Sequence, residues 1–270
     1  MASPFAEKGP WDDVAEGYAA EAHWVMAPFS QKALELAELG ENAVIADIAA
    51  GPGTLSLLAA PDVARVHALD FSEPMLKALA ASSKKLGLEN VEIHVGDGQA
   101  LPFTDSSFDA AFSMFGLMFF PDRPKGYAEL YRVLKPGGVA VVSTWADVTQ
   151  SSLMMIMFGA LAAADPSRAA PKYDPNGQEN PEIVAAEMKG AGFADVVVHS
   201  PVHEFDAPNA TELWDALIKS SAPLVMLRKK LGEAEWAVQS EKARTFIHDE
   251  LAKNPRKLDT KAHLAVGRKR

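Results

Sequence analysis

An apolar run that ends in a loop of small residues constrains this chain more than any other segment. The run covers residues 44–48, and the loop at residues 49–53 contains Gly51 and Gly53. This pattern predicts a β-strand that feeds a ligand-binding loop. The two glycines leave the backbone bare, so a ligand can lie against the main chain near the first amides of the next helix. A loop of this kind also occurs where a strand and a helix simply pack closely.

Two acids follow the next two predicted strands. The strand at residues 66–69 ends at Asp70, where doubly wound sheets place the carboxylate that binds ribose hydroxyls. A third strand at residues 91–95 leads into a turn that contains Asp97, which is placed to accept a hydrogen bond from an adenine amino group. Either acid alone could be a turn former or a helix N-cap. Three successive strands with such ends favour a ligand site, because open sheets bind ligands at the carboxyl ends of their strands.

The order of these segments resembles that of the class I S-adenosylmethionine-dependent methyltransferases, in their small-molecule branch. The segments that carry the resemblance are residues 47–53, 69–72, 96–103, 108–115 and 129–138. The resemblance is strong over residues 11–147, and the remainder follows it only by layout. It implies S-adenosyl-L-methionine as the cofactor and methyl transfer to an oxygen, nitrogen or carbon atom of a small organic acceptor by in-line displacement.

The resemblance assigns cofactor binding to a set of positions within these segments. They are Asp47, Ala49, Gly51, Gly53, Asp70, Phe71, Asp97, Gly98, Gln99 and Met114. The chain departs from the pattern at Ala49 and Ala50, where many members have glycine and a small residue. The methyl group of Ala49 narrows the space for the methionine part of the cofactor.

The acceptor site is expected beside the cofactor. In the family, the segment that corresponds to residues 11–18, with Tyr18 at its end, folds over the cofactor and walls the substrate site. Phe115 and Met118 follow the carboxyl end of the fourth predicted strand, where the reacting methyl group is expected. Ordinary core packing is the alternative for each of these side chains.

Histidine is the usual general base near neutral pH, and the chain has seven histidines. His23, in the N-terminal cap, is the only one expected near the active mouth, and a structural role is its favoured alternative. His67 and His94 are predicted inside strands, as structural residues. His199 and His203 share a strand face without a third ligand, so no metal site is predicted.

Helices and strands alternate with short connections between residues 54 and 141, which predicts a parallel sheet with helices on both faces. The expected fold class is α/β, a doubly wound, seven-stranded, mostly parallel sheet of the Rossmann-like methyltransferase type with helical cap elements. A sixth strand is predicted at residues 196–205. The last strand, at residues 261–267, would pair antiparallel beside it in the family. Helical sequence with one break near Gly232 separates the two.

The whole chain, residues 1–270, is predicted to form a single methyltransferase domain. Its expected parts are an N-terminal helical cap at residues 1–40, a cofactor-binding core at 41–147, a helix and lid at 148–180 and an inserted helical cap at 207–255. Ser72 and Asp122, each followed two residues later by proline, mark helix starts in the core.

Composition excludes several classes of function. The net charge of −10 argues against nucleic acid as a primary partner, because phosphate contacts need a clustered basic surface. The absence of cysteine excludes disulfides, thiolate metal sites and a cysteine nucleophile. The apolar stretch at residues 153–164 is shorter than the about 20 residues that a membrane helix needs. With no secretory signal visible at the start, a cytoplasmic protein without a membrane partner is expected.

Two other functions compete with methyl transfer. One is a non-catalytic member that keeps the cofactor fold for regulation or partner binding. The other is an NAD-dependent oxidoreductase, which Ser56 disfavours because the dinucleotide fingerprint needs a glycine-like residue at that position. The oligomeric state cannot be read from the sequence.

Overall fold

The fold is built around a central β-sheet. The structure is a computed structural model and describes residues 4–168, 170, 172–253 and 257–270. The strands are β1 (Val44–Ile48), β2 (Arg65–Asp70), β3 (Val91–Val95), β4 (Phe108–Met114), β5 (Leu134–Trp145), β6 (Ala194–His199), β7 (Val202–Asp206) and β8 (Lys257–Arg268). Seven of them follow the order β3-β2-β1-β4-β5-β8-β6, and β7 pairs with β8 off this path. The first five are parallel, whereas β8 is antiparallel to both of its neighbours β5 and β6. The predicted fold class is confirmed.

Helices cover both faces of this sheet and build a cap beside it. They are α1 (Gly9–Glu21), α2 (His23–Ala37), α3 (Thr54–Ala59), α4 (Glu73–Leu86), α5 (Arg123–Val133), α6 (Ser152–Ala164), α7 (Pro181–Gly190), α8 (Ala210–Ser220), α9 (Ala222–Leu231) and α10 (Glu233–Lys253). Within the part of the chain that the structure describes, none of these helices is long and apolar enough to cross a membrane.

Alternation along β1 sends its side chains into two separate cores. Ile45 belongs to a buried cluster that includes residues of α2 and α3, on one face of the sheet. Ala46 and Ile48 belong to a second cluster with residues of α5 and α7, on the other face. Successive side chains of a strand point to opposite faces, so a strand buried on both faces must be apolar throughout. This is why the first strand reads as a continuous apolar run, interrupted only by Asp47.

Side-chain caps start two core helices at the predicted places. The Ser72 hydroxyl accepts a hydrogen bond from the Met75 amide at the start of α4. The Asp122 carboxylate accepts one from the Lys125 amide, 3.1 Å away, at the start of α5. Each cap satisfies an amide that has no partner within its own helix. Both predictions are therefore confirmed.

The cap has a core of its own. Trp214 on α8 is fully buried, and its indole N–H donates to the Ser240 hydroxyl of α10 at 2.7 Å. The Trp214 ring stacks on Trp236, with centroids 6.1 Å apart. Leu153 of α6 and Ile247 of α10 belong to the same cluster. Helices α6, α8 and α10 thus form one packed unit beside the sheet.

The structure differs from prediction in the last third of the chain. The predicted sixth strand at residues 196–205 is two strands, β6 and β7, separated at Pro201. Proline has no backbone N–H to give to a ladder, which disfavours a continuous strand there. Strand β8 begins at Lys257 rather than at residue 261, because its first residues pair with β7 instead of the main sheet. The inserted helices break at Ser221 as well as at Gly232.

Candidate active site

A cavity of about 650 Å³ opens at the carboxyl ends of β1, β2, β3 and β4. Helices α1, α2, α6 and α8 wall its other side, together with the start of α9. The sheet order reverses between β2-β1 and β4-β5, so this is the switch point at which doubly wound sheets bind ligands. Its volume falls within the range of about 300–1,000 Å³ that small-molecule sites occupy.

Asp47, the last polar residue of β1, is buried at the base of the cavity with only 1% of its surface exposed. Its Oδ2 accepts a hydrogen bond from the Ser56 hydroxyl at 2.6 Å. Burial raises the pKa of Asp47 to about 6, and the nearby Asp70 charge adds to the rise, while the Ser56 bond opposes it. Ser56, which departs from the dinucleotide fingerprint, thus forms a hydrogen bond to the buried Asp47 carboxylate.

Asp70 joins the end of β2 to the glycine loop. Its Oδ2 accepts from the Gly51 amide at 2.8 Å, and its Oδ1 accepts from the Ser72 amide at the same distance. Burial raises the pKa of Asp70, and these amide bonds oppose the rise. Each carboxylate oxygen has a second lone pair, so the group can still accept from a ligand hydroxyl.

The same segment ties the N-terminal helix to the site. The Ser72 hydroxyl donates to Asp12 Oδ1 on α1 at 2.6 Å. Farther along α1, Tyr18 lines the cavity, and burial raises its pKa to about 12, with a further contribution from the Asp70 charge. Tyr18 is therefore a neutral phenol near neutral pH. Helix α1 therefore lines one side of the cavity.

The turn after β3 presents Asp97 and Gln99 to the cavity. Asp97 Oδ1 accepts from the Gln99 amide at 2.8 Å, and Gln99 Oε1 accepts from the Asp122 amide at 2.9 Å. A Cβ atom on Gly98 would lie 2.3 Å from the ζ carbon of Phe120. Glycine is therefore required at this position by packing, and the turn is tied to the start of α5.

Three residues of the cavity lining have left-handed backbone. Ala49 has φ 59° and Phe115 has φ 57°, values that non-glycine residues adopt at a cost of about 1–3 kcal/mol. Gly51 also has a positive φ, 56°, and a Cβ atom added there would point into open space. At Gly53 the same atom would lie 2.1 Å from Leu79 Cδ1. Gly51 thus faces the cavity, whereas Gly53 allows close packing against α4.

The half of the cavity away from the acids is mostly apolar, although Glu21 also lines it. Phe115 stacks on Trp145 with centroids 4.2 Å apart, and Phe29 packs against both rings. The Ser30 hydroxyl is an exception in this wall: the residue is 1% exposed, and the hydroxyl has no hydrogen-bond partner in the described part of the chain. Other large apolar residues of the lining include Trp11, Met26, Phe119, Met154, Met157 and Phe158.

Most residues that the sequence singled out meet at this one cavity. Those in its lining are Tyr18, Asp47, Ala49, Gly51, Asp70, Phe71, Asp97, Gly98, Gln99, Met114 and Phe115. Gly53 and Met118 lie outside the lining; Met118 packs against the core beneath. His23 is exposed on α2 and also lies outside it.

Sequence reasoning missed Ser30, Trp145 and the particular residues of α8 that line the cavity. Trp145 ends β5 as Met114 ends β4, so its place at the carboxyl edge of the sheet was a usable signal. Ser30 carries no such signal, because it sits mid-helix on the buried face of α2. Residues 216, 217 and 220 of α8 reach the wall through tertiary packing that follows no motif.

The core of the chain matches a known family. Residues 45–138 match the sequence model of a family described as a methyltransferase domain. An uncharacterized protein of Mycobacterium tuberculosis (strain H37Rv) is 38% identical over 128 residues, which are 47% of this chain and 46% of that protein. A demethylmenaquinone methyltransferase of Listeria welshimeri is 37% identical over 111 residues, 40% of this chain and 47% of that one. The chain thus spans about half the length of these curated relatives.

Solved structures share the fold over most of the chain. The YcgJ protein from Bacillus subtilis has a TM-score of 0.56 at 21% identity, covering 89% of this chain and 97% of that one. Phosphoethanolamine N-methyltransferase 2 of Haemonchus contortus, in complex with S-adenosyl-L-methionine, has a TM-score of 0.54 at 17% identity, covering 90% of this chain and 52% of that one. At these identities the likeness concerns the fold.

Proposed function

We propose that this chain, whose residues 45–138 match the sequence model of a methyltransferase domain, is an enzyme that transfers a methyl group from S-adenosyl-L-methionine to a small organic acceptor. The observation that carries the proposal is the meeting of three strand ends at one cavity. The loop after β1, Asp70 after β2 and Asp97 after β3 all line it. The order of these groups matches the family pattern, and their geometry suits a nucleoside with a flexible tail.

The residues present fit the cofactor. The Cα of Gly51 faces open space, with nothing within 4 Å of the position that a Cβ would take, so the backbone there can contact a ligand directly. Asp70 would accept from ribose hydroxyls and Asp97 from the adenine amino group. The loop around Ala49 and Gly51 would hold the methionine part. When bound, S-adenosylmethionine supplies a methyl group made electrophilic by the sulfonium sulfur.

The chain's own contribution is alignment and exclusion of water, which lower the barrier of a displacement without a dedicated catalytic side chain. The Phe115 and Trp145 rings, stacked beside the β4 and β5 ends, would hold a flat apolar acceptor. Ser30 would accept from or donate to a polar atom of that acceptor. We propose that residues 148–180 and 207–255 act as the cover of the acceptor half, because α6 and α8 supply much of its apolar wall.

No histidine lines the cavity within the described residues, and His23 is exposed. We therefore assign no general base. The proposal favours an acceptor whose oxygen, nitrogen or carbon nucleophile is unprotonated near neutral pH, because such a nucleophile needs no base. The apolar wall and the net charge of −10 favour a metabolite over a nucleic acid.

Calorimetric titration with S-adenosylmethionine, S-adenosylhomocysteine and NAD tests the cofactor. We expect micromolar binding of the two sulfur compounds and none of NAD. Release of S-adenosylhomocysteine with a panel of apolar acidic phenols, aromatic amines and acidic carbon compounds then tests the transfer. Binding without turnover on any acceptor would favour the non-catalytic alternative, and binding of NAD alone would favour an oxidoreductase.

A further inference from the structure

Two histidines and a glutamate meet on the outermost parallel strands, away from the cavity. His67 lies on β2, and Glu92 and His94 lie on β3. The register pairs His67 with Glu92 and Leu69 with His94. Residues two apart on a strand share a face, so all three side chains project from the same side of the sheet. None of the three lines the cavity.

The potential ligand atoms of the three side chains are close together. His67 Nδ1 and His94 Nε2 share a hydrogen bond of 3.0 Å, and His67 Nδ1 lies 3.4 Å from Glu92 Oε2. One ligand atom from each residue lies within 4.8 Å of the other two. Arg65 Nη1 donates to Glu92 Oε1 at 2.7 Å, which leaves Oε2 directed at the histidines. The cluster is thus shaped before any ion arrives.

The surroundings hold both imidazoles in place. The Phe103 ring meets His67 and His94 edge-on, with centroids 5.7 and 5.0 Å away. Phe108 meets His67 in the same way at 5.3 Å. All three cluster residues are partly buried, so their polar ends remain within reach of solvent. Because the rings are fixed on one side and the polar ends face solvent on the other, an ion can enter the cluster without movement of the strands.

We propose that His67, Glu92 and His94 bind one divalent ion of the zinc class, with water completing the coordination. Two histidines and one carboxylate form a donor set that zinc uses in sites with an open fourth position. Tetrahedral ligands at about 2.0–2.2 Å from zinc lie about 3.3 Å from one another. The observed separations are near this value for two of the pairs, so small side-chain rotations would complete the site.

The position of the cluster indicates what the ion would do. His67 lies three residues before Asp70 on β2, and His94 lies three residues before Asp97 at the end of β3. An ion held by both strands would therefore cross-link the two segments that carry the cavity's acids. Its role would be structural, and it is independent of whether the cavity binds S-adenosylmethionine.

Titration of the tag-free, metal-stripped full chain with Co²⁺ tests the site, read by visible absorption, and calorimetry with Zn²⁺ gives the stoichiometry. We expect one ion per chain with a micromolar or lower Kd, the visible bands of a four-coordinate or five-coordinate cobalt ion, and a higher Tm in the presence of zinc. The proposal would be overturned if the chain bound one equivalent of neither Co²⁺ nor Zn²⁺.

Two variants and one control locate the ion. We expect His94→Ala and Glu92→Gln each to weaken binding by at least about tenfold, since each removes one of three ligands. Glu92→Gln keeps the side-chain shape and an oxygen for Arg65, so its metal-free Tm should match that of the parent. His248→Ala removes an exposed histidine on α10 and should leave the Kd unchanged. Unchanged binding in both ligand variants, or loss in the control, would place the ion elsewhere.

Discussion

The two halves of the cavity are built by different means. On the sheet side, Asp47, Asp70 and Asp97 each accept hydrogen bonds of 2.6–2.8 Å from neighbouring groups, so polar atoms fix one another. Away from these acids, the stacked Phe115 and Trp145 rings at the ends of β4 and β5 make the wall together with methionines of the helices, and Ser30 is left without a partner among the described residues. The polar half suits a ligand that forms hydrogen bonds at fixed positions, whereas the apolar half determines shape and offers few polar contacts.

The largest effect is expected from Gly51→Val, which would destroy the polar half. The new side chain would point into the cavity from backbone at φ 56°. We expect the affinity for S-adenosylmethionine to fall at least about 100-fold, or about 3 kcal/mol, by calorimetry. Gly87→Val is a matched control, because Gly87 also has a positive φ, 69°, and open space at its Cβ, but caps α4 away from the cavity. Equal loss of binding in both variants would show that backbone strain, not contact, is responsible.

The free energy of unfolding should depend on pH through Asp47, a residue of the polar half. Its folded pKa of about 6 lies above the ordinary value of 3.8, so the folded state holds the proton more tightly. This contribution to stability is complete below about pH 4 and is lost as the pH rises through about 6. The loss is on the order of 2–3 kcal/mol.

Asp47→Asn keeps an acceptor for Ser56 and removes the titration. Denaturant unfolding from pH 4.5 to 7.5 should therefore show the variant gaining stability relative to the parent as the pH rises. Asp62→Asn, at an exposed aspartate, should run parallel to the parent. A constant difference between Asp47→Asn and the parent would contradict the raised pKa.

Asp70→Asn tests the hydrogen bonds that join the glycine loop to the end of β2. The amide can accept only one of the two backbone hydrogen bonds and carries no charge for ribose hydroxyls. We expect weaker cofactor binding by about 1–3 kcal/mol and a lower Tm from the unsatisfied amide. Calorimetry and thermal unfolding measure the two effects. Unchanged affinity would remove the ribose assignment, whatever happens to the Tm.

The smallest effect is expected from Ser30→Ala in the apolar half. The acceptor KM should rise by about 2–10-fold, equivalent to about 0.5–1.5 kcal/mol, while the Kd of the cofactor stays constant. Ser220→Ala is the matched control, because that lining hydroxyl already donates to the Ala216 carbonyl. A change in cofactor affinity in Ser30→Ala would mean that the two halves are not separate.

More of the polar lining than of the apolar lining follows from patterns in the sequence. The strand ends at Asp47, Asp70 and Asp97 follow short local patterns, and one segment supplies both the strand and its loop. Trp145 and Ser30 reach the cavity only through packing between elements far apart in the chain. Local periodicity does not predict contacts between distant elements. The lining residues of α8 were missed for the same reason.

The same limit explains the errors in the fold. The order of the first five strands follows from alternating helices and strands, so it could be predicted. The division at Pro201 and the early start of β8 depend on which strand pairs with which. The approach of His67 to His94 depends on the register between β2 and β3, which fixes the partner of each residue. Register depends on both strands of a pair and cannot be predicted from either strand alone.

The bond between the Gly51 amide and Asp70 has a consequence for the energetics of ligand capture. Because both partners belong to the chain itself, the bond fixes the loop against the neighbouring strand, and the loop is preorganised. A ligand that docks there loses its own freedom but does not have to order the loop, and that entropic penalty is removed from the affinity. Backbone motions of residues 49–53 should then be as restricted before binding as after it.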